Sequence, residues 1–452
     1  MVRALGSSLR LFVVSVALAS GLVTALPASA YTPPAGSTFN VPRPWGGNAQ
    51  HWRIVRKVEK AINATRPTAA DPKPIIFVTT FLLDRTASVD AMISACRRGV
   101  SVRVILDHDI VNRNSKRLIR TLNADNVRDA NHDGEPDRAP RARPCNRRPA
   151  HHRASADGGG VFTDADALRS ASAPTDAWVT WGKDRSYVKR CEGSCRGGGG
   201  NMHSKFYAFS HTGSARNVVM VSSSNLNRGG ALLGWNDLYT MRNRPKSFAV
   251  YAQIHREMTS DRRAGTGKVE VVDGPFTSRF FPMRNASRAN DPTLADLRRI
   301  GCHGPLGRTA INISMFYWAG ARGNYIADKL LSLARSGCRV SIIYGAPSRQ
   351  IAARLRDAAR HHLISLWDSR WDNNDDGWNE VRTHGKYVLV KGRYGSAAKS
   401  WQVMTGSQNW VAGSLSRGDE TTINVALPSA YTRYLANWNI VKHHSRRLPY
   451  HR

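Results

Sequence analysis

The sequence predicts an α/β chain built of two similar lobes, because strand-like apolar runs alternate with helical stretches and the whole series occurs twice. In the first half, Ile75 to Leu82 is apolar and rich in β-branched and aromatic residues, the composition of a buried strand. Val89, Met92, Ile93 and Cys96 then mark a helix, Gly99 stops it, and a second strand runs to Leu106. In the second half, Ile311 to Trp318 is the strand, and Ile326, Leu330, Leu331 and Leu333 mark the helix. Gly337 then precedes a strand ending at Tyr344, so that the glycine–strand unit recurs 238 positions later.

Each half next reaches a His-x-Lys triplet. His203-Ser-Lys205 leads into the strand Phe206 to Phe209, and His384-Gly-Lys386 into Tyr387 to Val390. A further strand follows each, Val218 to Val221 and Trp401 to Met404. Polar turns come after them, Ser222-Ser-Ser-Asn225 and Gly406-Ser-Gln-Asn409. Amphipathic helices close the halves, with Phe248, Tyr251, Ile254 and Met258 on one face of the first, and Tyr431, Tyr434, Leu435 and Trp438 on one face of the second. Gly99 stands 104 residues before His203 and Gly337 only 47 before His384. The surplus falls in a Gly-, Arg- and Asp-rich insert from about 126 to 200, expected to be surface loop. The expected division is a first lobe over 31–271 and a linker plus second lobe over 272–452, with the linker near 272–293.

Residues 1–30 carry Arg3 and Arg10, an uncharged apolar run from Leu11 to Leu26, and the small-residue site Ala28-Ser29-Ala30. That is the pattern of a cleaved secretory signal, and it leads us to expect a secreted, extracellular and soluble protein. The apolar run is short for a membrane span of about 20 residues. Six cysteines in an exported chain suggest disulfides. Cys191 and Cys195 are able to close on each other, or one of them to pair with Cys145; Cys96, Cys302 and Cys338 lie elsewhere, and fifteen full pairings exist. A structural zinc site is the weaker reading, because no second close pair of Cys or His stands at ligand spacing. The formal charge of +33 predicts attraction to polyanions: nucleic acid, anionic lipid or acidic polymers.

On an extended strand, His and Lys two places apart point to the same face. If the two halves meet, the site gathers two imidazoles, two ammoniums and the two turn amides of Asn225 and Asn409. That set suits phosphodiester chemistry. Lysines and asparagines hold the non-bridging oxygens and stabilise a five-coordinate phosphorus. One imidazole attacks phosphorus and the other protonates the leaving alcohol, then activates a water or a second alcohol. Among fifteen histidines, only His203 and His384 have Lys two places later, and each has a Ser-x-Asn turn 22 or 25 residues on.

At these residues the chain resembles the phospholipase D superfamily, marked by a duplicated H-x-K-x4-D with a downstream G-S-x-N. The resemblance covers essentially the whole chain after the leader. It implies two phospholipase D-like lobes packed as a pseudo-dimer, a phosphohistidine intermediate and no required cofactor. It makes His203 the nucleophile and His384 the general acid/base, with Lys205, Lys386, Asn225 and Asn409 on the phosphate. Ser223 and Ser407 match the family serine. Glu420 matches the acidic residue that orients a histidine, with Asn236 or Asp237 as its counterpart. The chain departs from the pattern at both motif aspartates, where Ser210 and Lys391 stand, and at Ser222 in place of the first turn's glycine.

Asp129-Ala-Asn131-His-Asp133-Gly and Asp372-Asn-Asn374-Asp-Asp376-Gly share the oxygen-ligand spacing of a structural calcium loop, but lack the acid at position 12. Asp, Asn and Gly also simply make turns. Trp181, Trp235, Phe316, Tyr317, Trp318 and Trp410 are candidates to line a channel or meet lipid, although aromatics near strands usually fill cores. The arginines from Arg138 to Arg153 read as a solvated loop. The expected function is a monomeric secreted phospholipase D-type phosphodiesterase, bound peripherally at a membrane surface. The alternatives are a metal-independent endonuclease of the same superfamily, acting on nucleic acid, and a non-enzymatic polyanion-binding protein.

Overall fold

A computed structural model describes residues 31–108, 112–123, 186–191, 193–197, 199–259, 263–265 and 268–449. The leader, the Asp129–Asp133 pattern, the Arg138–Arg153 run, Cys145 and Trp181 lie outside the described residues.

Two sheets carry the duplication. The first runs in the order Gly36–Phe39, Asp237–Met241, Ala215–Ser222, Phe206–Thr212, Ile75–Thr80, Ser101–Asp107 and Tyr187–Cys191. The second repeats that order with Phe276–Phe281, Glu420–Val425, Ala397–Gly406, Lys386–Tyr394, Ala310–Trp318, Arg339–Pro347 and Ser365–Asp368, and adds an edge strand at each end. Strand directions match as well. In both sheets the last three strands are parallel and the others antiparallel. The α/β two-lobe expectation is met.

The central strands are apolar throughout because both faces are covered. Tyr207 and Phe209 point into an outer core with Ile54, Val58, Val89 and Met92, from the helices Arg53–Ala64 and Thr86–Arg97. Phe206 and Ala208 point the other way, into a core shared by both lobes. There Tyr251, Ile254 and Met258 of the helix Pro245–Thr259 meet Tyr434 and Trp438 of Pro428–His443, together with Tyr387 and Leu389 of the second sheet. Val388 and Val390 face the second outer core, with Leu330 and Leu355. The lobes therefore join through a common apolar layer, and that layer fixes how their strand ends meet.

Two expectations are corrected. The expected linker near 272–293 begins with strands: Val269–Asp273 and Phe276–Phe281 form a hairpin on the second sheet, with Phe276 and Phe280 buried. Strand Phe276–Phe281 is the counterpart of Gly36–Phe39, so the second lobe starts its sheet as the first does. The expected loop insert, for its part, contains the strand Tyr187–Cys191, which extends the first sheet in parallel beside Ser101–Asp107. Its Arg- and Gly-rich neighbourhood hid a strand that is buried at Tyr187, Val188 and Cys191.

Disulfides join Cys191 to Cys195 and Cys302 to Cys338, and no described cysteine is free. Among the described residues no helix is long and apolar enough to cross a membrane.

Candidate active site

Each His-x-Lys triplet sits where a central strand begins, at the edge that meets the other lobe. His203 donates its main-chain N–H to Asp419 O (3.0 Å), and Asp419 donates back to Asn201 O (3.0 Å). His384 and Gly385 donate theirs to Trp235 O (2.9 and 2.8 Å). Each catalytic candidate is thus held by the opposite lobe.

The side chains follow the same exchange. Nδ1–H of His203 donates to the carboxylate of Glu420, 3.0 Å from each oxygen. Nδ1–H of His384 donates to Asn236 Oδ1 at 2.8 Å. The Asn236 amide is fixed in this sense because its Nδ2 donates to Gly230 O (2.9 Å) and Gly234 O (3.2 Å). Ser223 Oγ donates to Asn236 Oδ1 (3.0 Å), and Ser407 Oγ donates to Glu420 Oε2. These serines brace the residues that orient the rings. Gly234 must be glycine here, since a Cβ would lie 2.7 Å from Asn236 Nδ2 and 3.1 Å from His384 Cβ. The second nitrogen of each ring, Nε2, carries no hydrogen bond among the described residues.

Lys205 and Lys386 curl back so that Nζ donates to the carbonyl of His203 and His384 respectively. Phe81 packs on the His203 ring (5.4 Å between centroids) with Lys205 Nζ 5.5 Å from its centre. Phe316 does the same for His384 (4.7 Å) and Lys386 (5.0 Å). The turns bring in the amides. Asn225 Oδ1 accepts from the N–H of Phe81 (3.2 Å) and Leu82 (3.4 Å), which leaves its NH2 free to donate. Asn409 Oδ1 is buried with no partner among the described residues, an unfilled acceptor position.

Arg322, 1 % exposed, clamps the second turn. It donates to Asn409 O (2.9 Å) and Gln408 Oε1 (2.9 Å), while Asp291 neutralises it at 2.8 Å.

The departures from the family pattern are accounted for. Ser210 lies five residues past Lys205, on the order of 17 Å along an extended strand, where its hydroxyl donates to Asp71 (2.7 Å). Lys391 occupies the matching remote place in the second lobe, exposed to solvent. Neither residue is at the site. Gly406 has φ +144°, which favours glycine. Ser222 keeps an ordinary φ and instead donates its hydroxyl to Asp237 O (2.7 Å).

Electrostatics link the halves. Burial pushes the His203 imidazole below its ordinary value, opposed by the charge of Glu420 and assisted by Lys205 and Lys386. Burial, then the charges of Lys386, Lys205 and His203, hold His384 well below the ordinary range. Burial lowers Lys205 strongly and brings Lys386 to about 7. Burial works to raise Glu420, but His203 and Lys205 hold it low. Each half feels the charges of the other, so one cleft holds both motifs.

The remaining candidates divide. Trp318 and Trp410 are core, stacked edge to face at 4.6 Å. Trp235 is buried and Tyr317 is exposed. Asp372 and Asp376 come together with Glu380, one oxygen of each lying within 4.8 Å of the others. Asn374 turns its NH2, not its oxygen, to Asp376 (2.9 Å). The carboxylates accept main-chain N–H groups of Gly377, Trp378 and Asn373, so they brace a turn. Sequence reasoning missed Phe81, Arg322 and Asp291. The signal for Phe81 was its place after the first strand, matching Phe316 in the second.

Residues 307–439 match the family model described as "Cardiolipin synthase, PLD-like domain". That match lies in the second lobe and, with the duplicated fold and site, supports the resemblance to the phospholipase D superfamily. No curated protein matches the chain significantly. Among solved structures, phosphatidylserine synthase of Haemophilus influenzae Rd KW20 shares 13 % identity, covering 91 % of this chain and 87 % of its own with a TM-score of 0.50. Polyphosphate kinase of Porphyromonas gingivalis (11 %, TM-score 0.49) aligns over 90 % of this chain, which spans half of that protein's length. Nuc of Salmonella typhimurium, a phospholipase D family member, shares 18 % identity over 38 % of this chain and 96 % of its own (TM-score 0.27). At such identities the likeness is one of fold.

Proposed function

We propose that the protein is a secreted phosphodiesterase of phospholipase D type, which cleaves the head group from glycerophospholipids through a phosphohistidine. The observation that carries this reading is the crossed grip on the imidazoles. Each Nδ1–H is fixed by a residue of the other lobe, and each Nε2 lone pair is left free. Nε2 of His203 attacks phosphorus while the bond to the head-group oxygen breaks, and His384, which takes up a proton at Nε2 as the phosphate anion enters the cleft, gives it to that oxygen. His384 then takes a proton from water or an acceptor alcohol, whose oxygen attacks phosphorus as the P–N bond breaks. Lys205, Lys386, Asn225 and Asn409 hold the non-bridging oxygens. Export rests on the leader pattern of residues 1–30.

The partners of the two rings differ, and this supports His203 as nucleophile. Glu420 is a carboxylate and raises the basicity of its imidazole, whereas Asn236 is a neutral amide. Glu420→Gln keeps an oxygen acceptor but removes the charge. Turnover should fall about 10- to 100-fold, or roughly 1.4–2.7 kcal/mol. The acidic limb of the kcat/KM profile should move to lower pH, since His203 then loses its proton more easily. An acidic limb that stays in place would remove His203 from the nucleophile's role.

The deciding experiment offers phosphatidylcholine vesicles and plasmid DNA side by side in EDTA. Phosphatidic acid with intact plasmid is the expected result. Nicked plasmid alone would favour the endonuclease, and neither product would favour a polyanion-binding protein.

A further inference from the structure

Five large apolar side chains stand exposed among the described residues: Val272, Tyr317, Trp371, Trp378 and Ile440. Exposed apolar residues scattered singly need no explanation, but three of these five share the rim beside His384. Tyr317 follows Phe316, the residue packed on the His384 ring. Trp371 and Val381 exchange main-chain hydrogen bonds (2.8 and 3.1 Å), closing a hairpin whose outgoing arm runs through Arg382 and Thr383 directly into His384. Trp378, on that hairpin, is 76 % exposed.

The rim is firmly joined to the chemistry. Arg382–Thr383 pairs with Gly234–Trp235 of the other lobe. Trp371 packs on Trp45 (5.7 Å), Trp45 stacks on Trp235 (5.4 Å), and the Trp235 carbonyl holds the His384 main chain. Within the hairpin, Asp372 accepts from Gly377 N (2.7 Å), Asp376 from Trp378 N (2.8 Å) and Glu380 from Asn373 N (3.0 Å). The calcium-like sequence is therefore used as turn bracing that keeps Trp378 presented.

We propose that the Trp371–Val381 hairpin, with Tyr317, docks the active site onto a zwitterionic phospholipid surface. The inference rests on the lipid reading above and adds where and how the protein meets its substrate. Indole and phenol rings suit the membrane–water interface, where an apolar body and a polar edge are both satisfied. Charge selects among the occupants. Asp372, Asp375, Asp376 and Glu380 outnumber the flanking Arg370 and Arg382, so a nucleic-acid backbone or a strongly anionic bilayer is repelled at this rim. A surface without net charge is not.

The test compares wild type with Trp378→Ala and Trp378→Glu in EDTA, by cosedimentation with dioleoylphosphatidylcholine vesicles and by turnover of bis(p-nitrophenyl) phosphate, a soluble diester that needs no surface. Vesicle partitioning should fall in Trp378→Ala and by about tenfold in Trp378→Glu, and persist in high salt for the wild type, while soluble turnover of both variants stays within about twofold. Unchanged vesicle partitioning would overturn the proposal. So would soluble turnover that falls in step, vesicle binding that appears only when calcium is added, or a loss confined to plasmid DNA binding. If the wild type turns over neither lipid nor soluble diester, the catalytic reading fails, while the partitioning of wild type against variant still decides the docking reading.

Discussion

Replacing His203 by asparagine should abolish turnover of bis(p-nitrophenyl) phosphate, by about 10⁴-fold or more, without any burst of p-nitrophenol. Asparagine fills much of the space and can still donate to Glu420, so folding should survive. What disappears is the Nε2 lone pair that attacks phosphorus. His384→Asn should behave differently with the same substrate. p-Nitrophenolate leaves without protonation, so the first step needs no acid, and one equivalent of p-nitrophenol should appear as phosphohistidine forms on His203. The second step needs a base to activate water, so the intermediate should persist long enough for mass spectrometry to place the phosphoryl group. A burst in His203→Asn and none in His384→Asn would reverse the two roles. A burst in neither would set aside the covalent route altogether.

Much of this arrangement was legible in the sequence because its signals are local. A strand covered on both faces is a short continuous apolar run, and a His-x-Lys at its start needs no distant residue to be seen. Duplication then supplied the check. Long-range choices were hidden. Asn236 and Asp237 were equal candidates to orient His384, and strand alternation decides between them. Asn236 faces the ring, while Asp237 turns to the opposite face and accepts from Thr405 (2.5 Å) and Tyr434 (2.8 Å). Arg322 acts on a turn 87 residues later in the chain, and no local pattern marks it. The strand Tyr187–Cys191 was obscured by its Gly- and Arg-rich surroundings, and the hairpin at Val269–Phe281 by its distance from the strand Glu420–Val425 that it joins.

Lys386→Met should separate stability from function. The side chain is 4 % exposed, and Met315, Val388 and Met404 line the cavity beside it, so a methionine stem fits its surroundings. Turnover should fall about 10²–10³-fold through loss of a charge aimed at the phosphate oxygens. The fold should gain stability. Burial lowers the Lys386 ammonium to about 7, below the 10.5 of an exposed lysine. Between those values the unfolded chain binds more protons than the folded one, so this group makes wild-type stability rise with pH from about 7 upward, and its full penalty is present below that. At pH 6 the variant should therefore be more stable by on the order of 2 kcal/mol, a melting point a few degrees higher, and the wild type's gain between pH 7 and 9 should flatten. Phosphate should reverse the order. An anion between Lys205 and Lys386 favours the charged ammonium, so binding should draw protons from solution and stabilise the wild type more than the variant. Calorimetry in buffers of different ionisation enthalpy measures that uptake. A variant less stable at pH 6, with the pH slope intact, would mean that Lys386 is charged at no cost and that the empty cleft is not strained by its own cations.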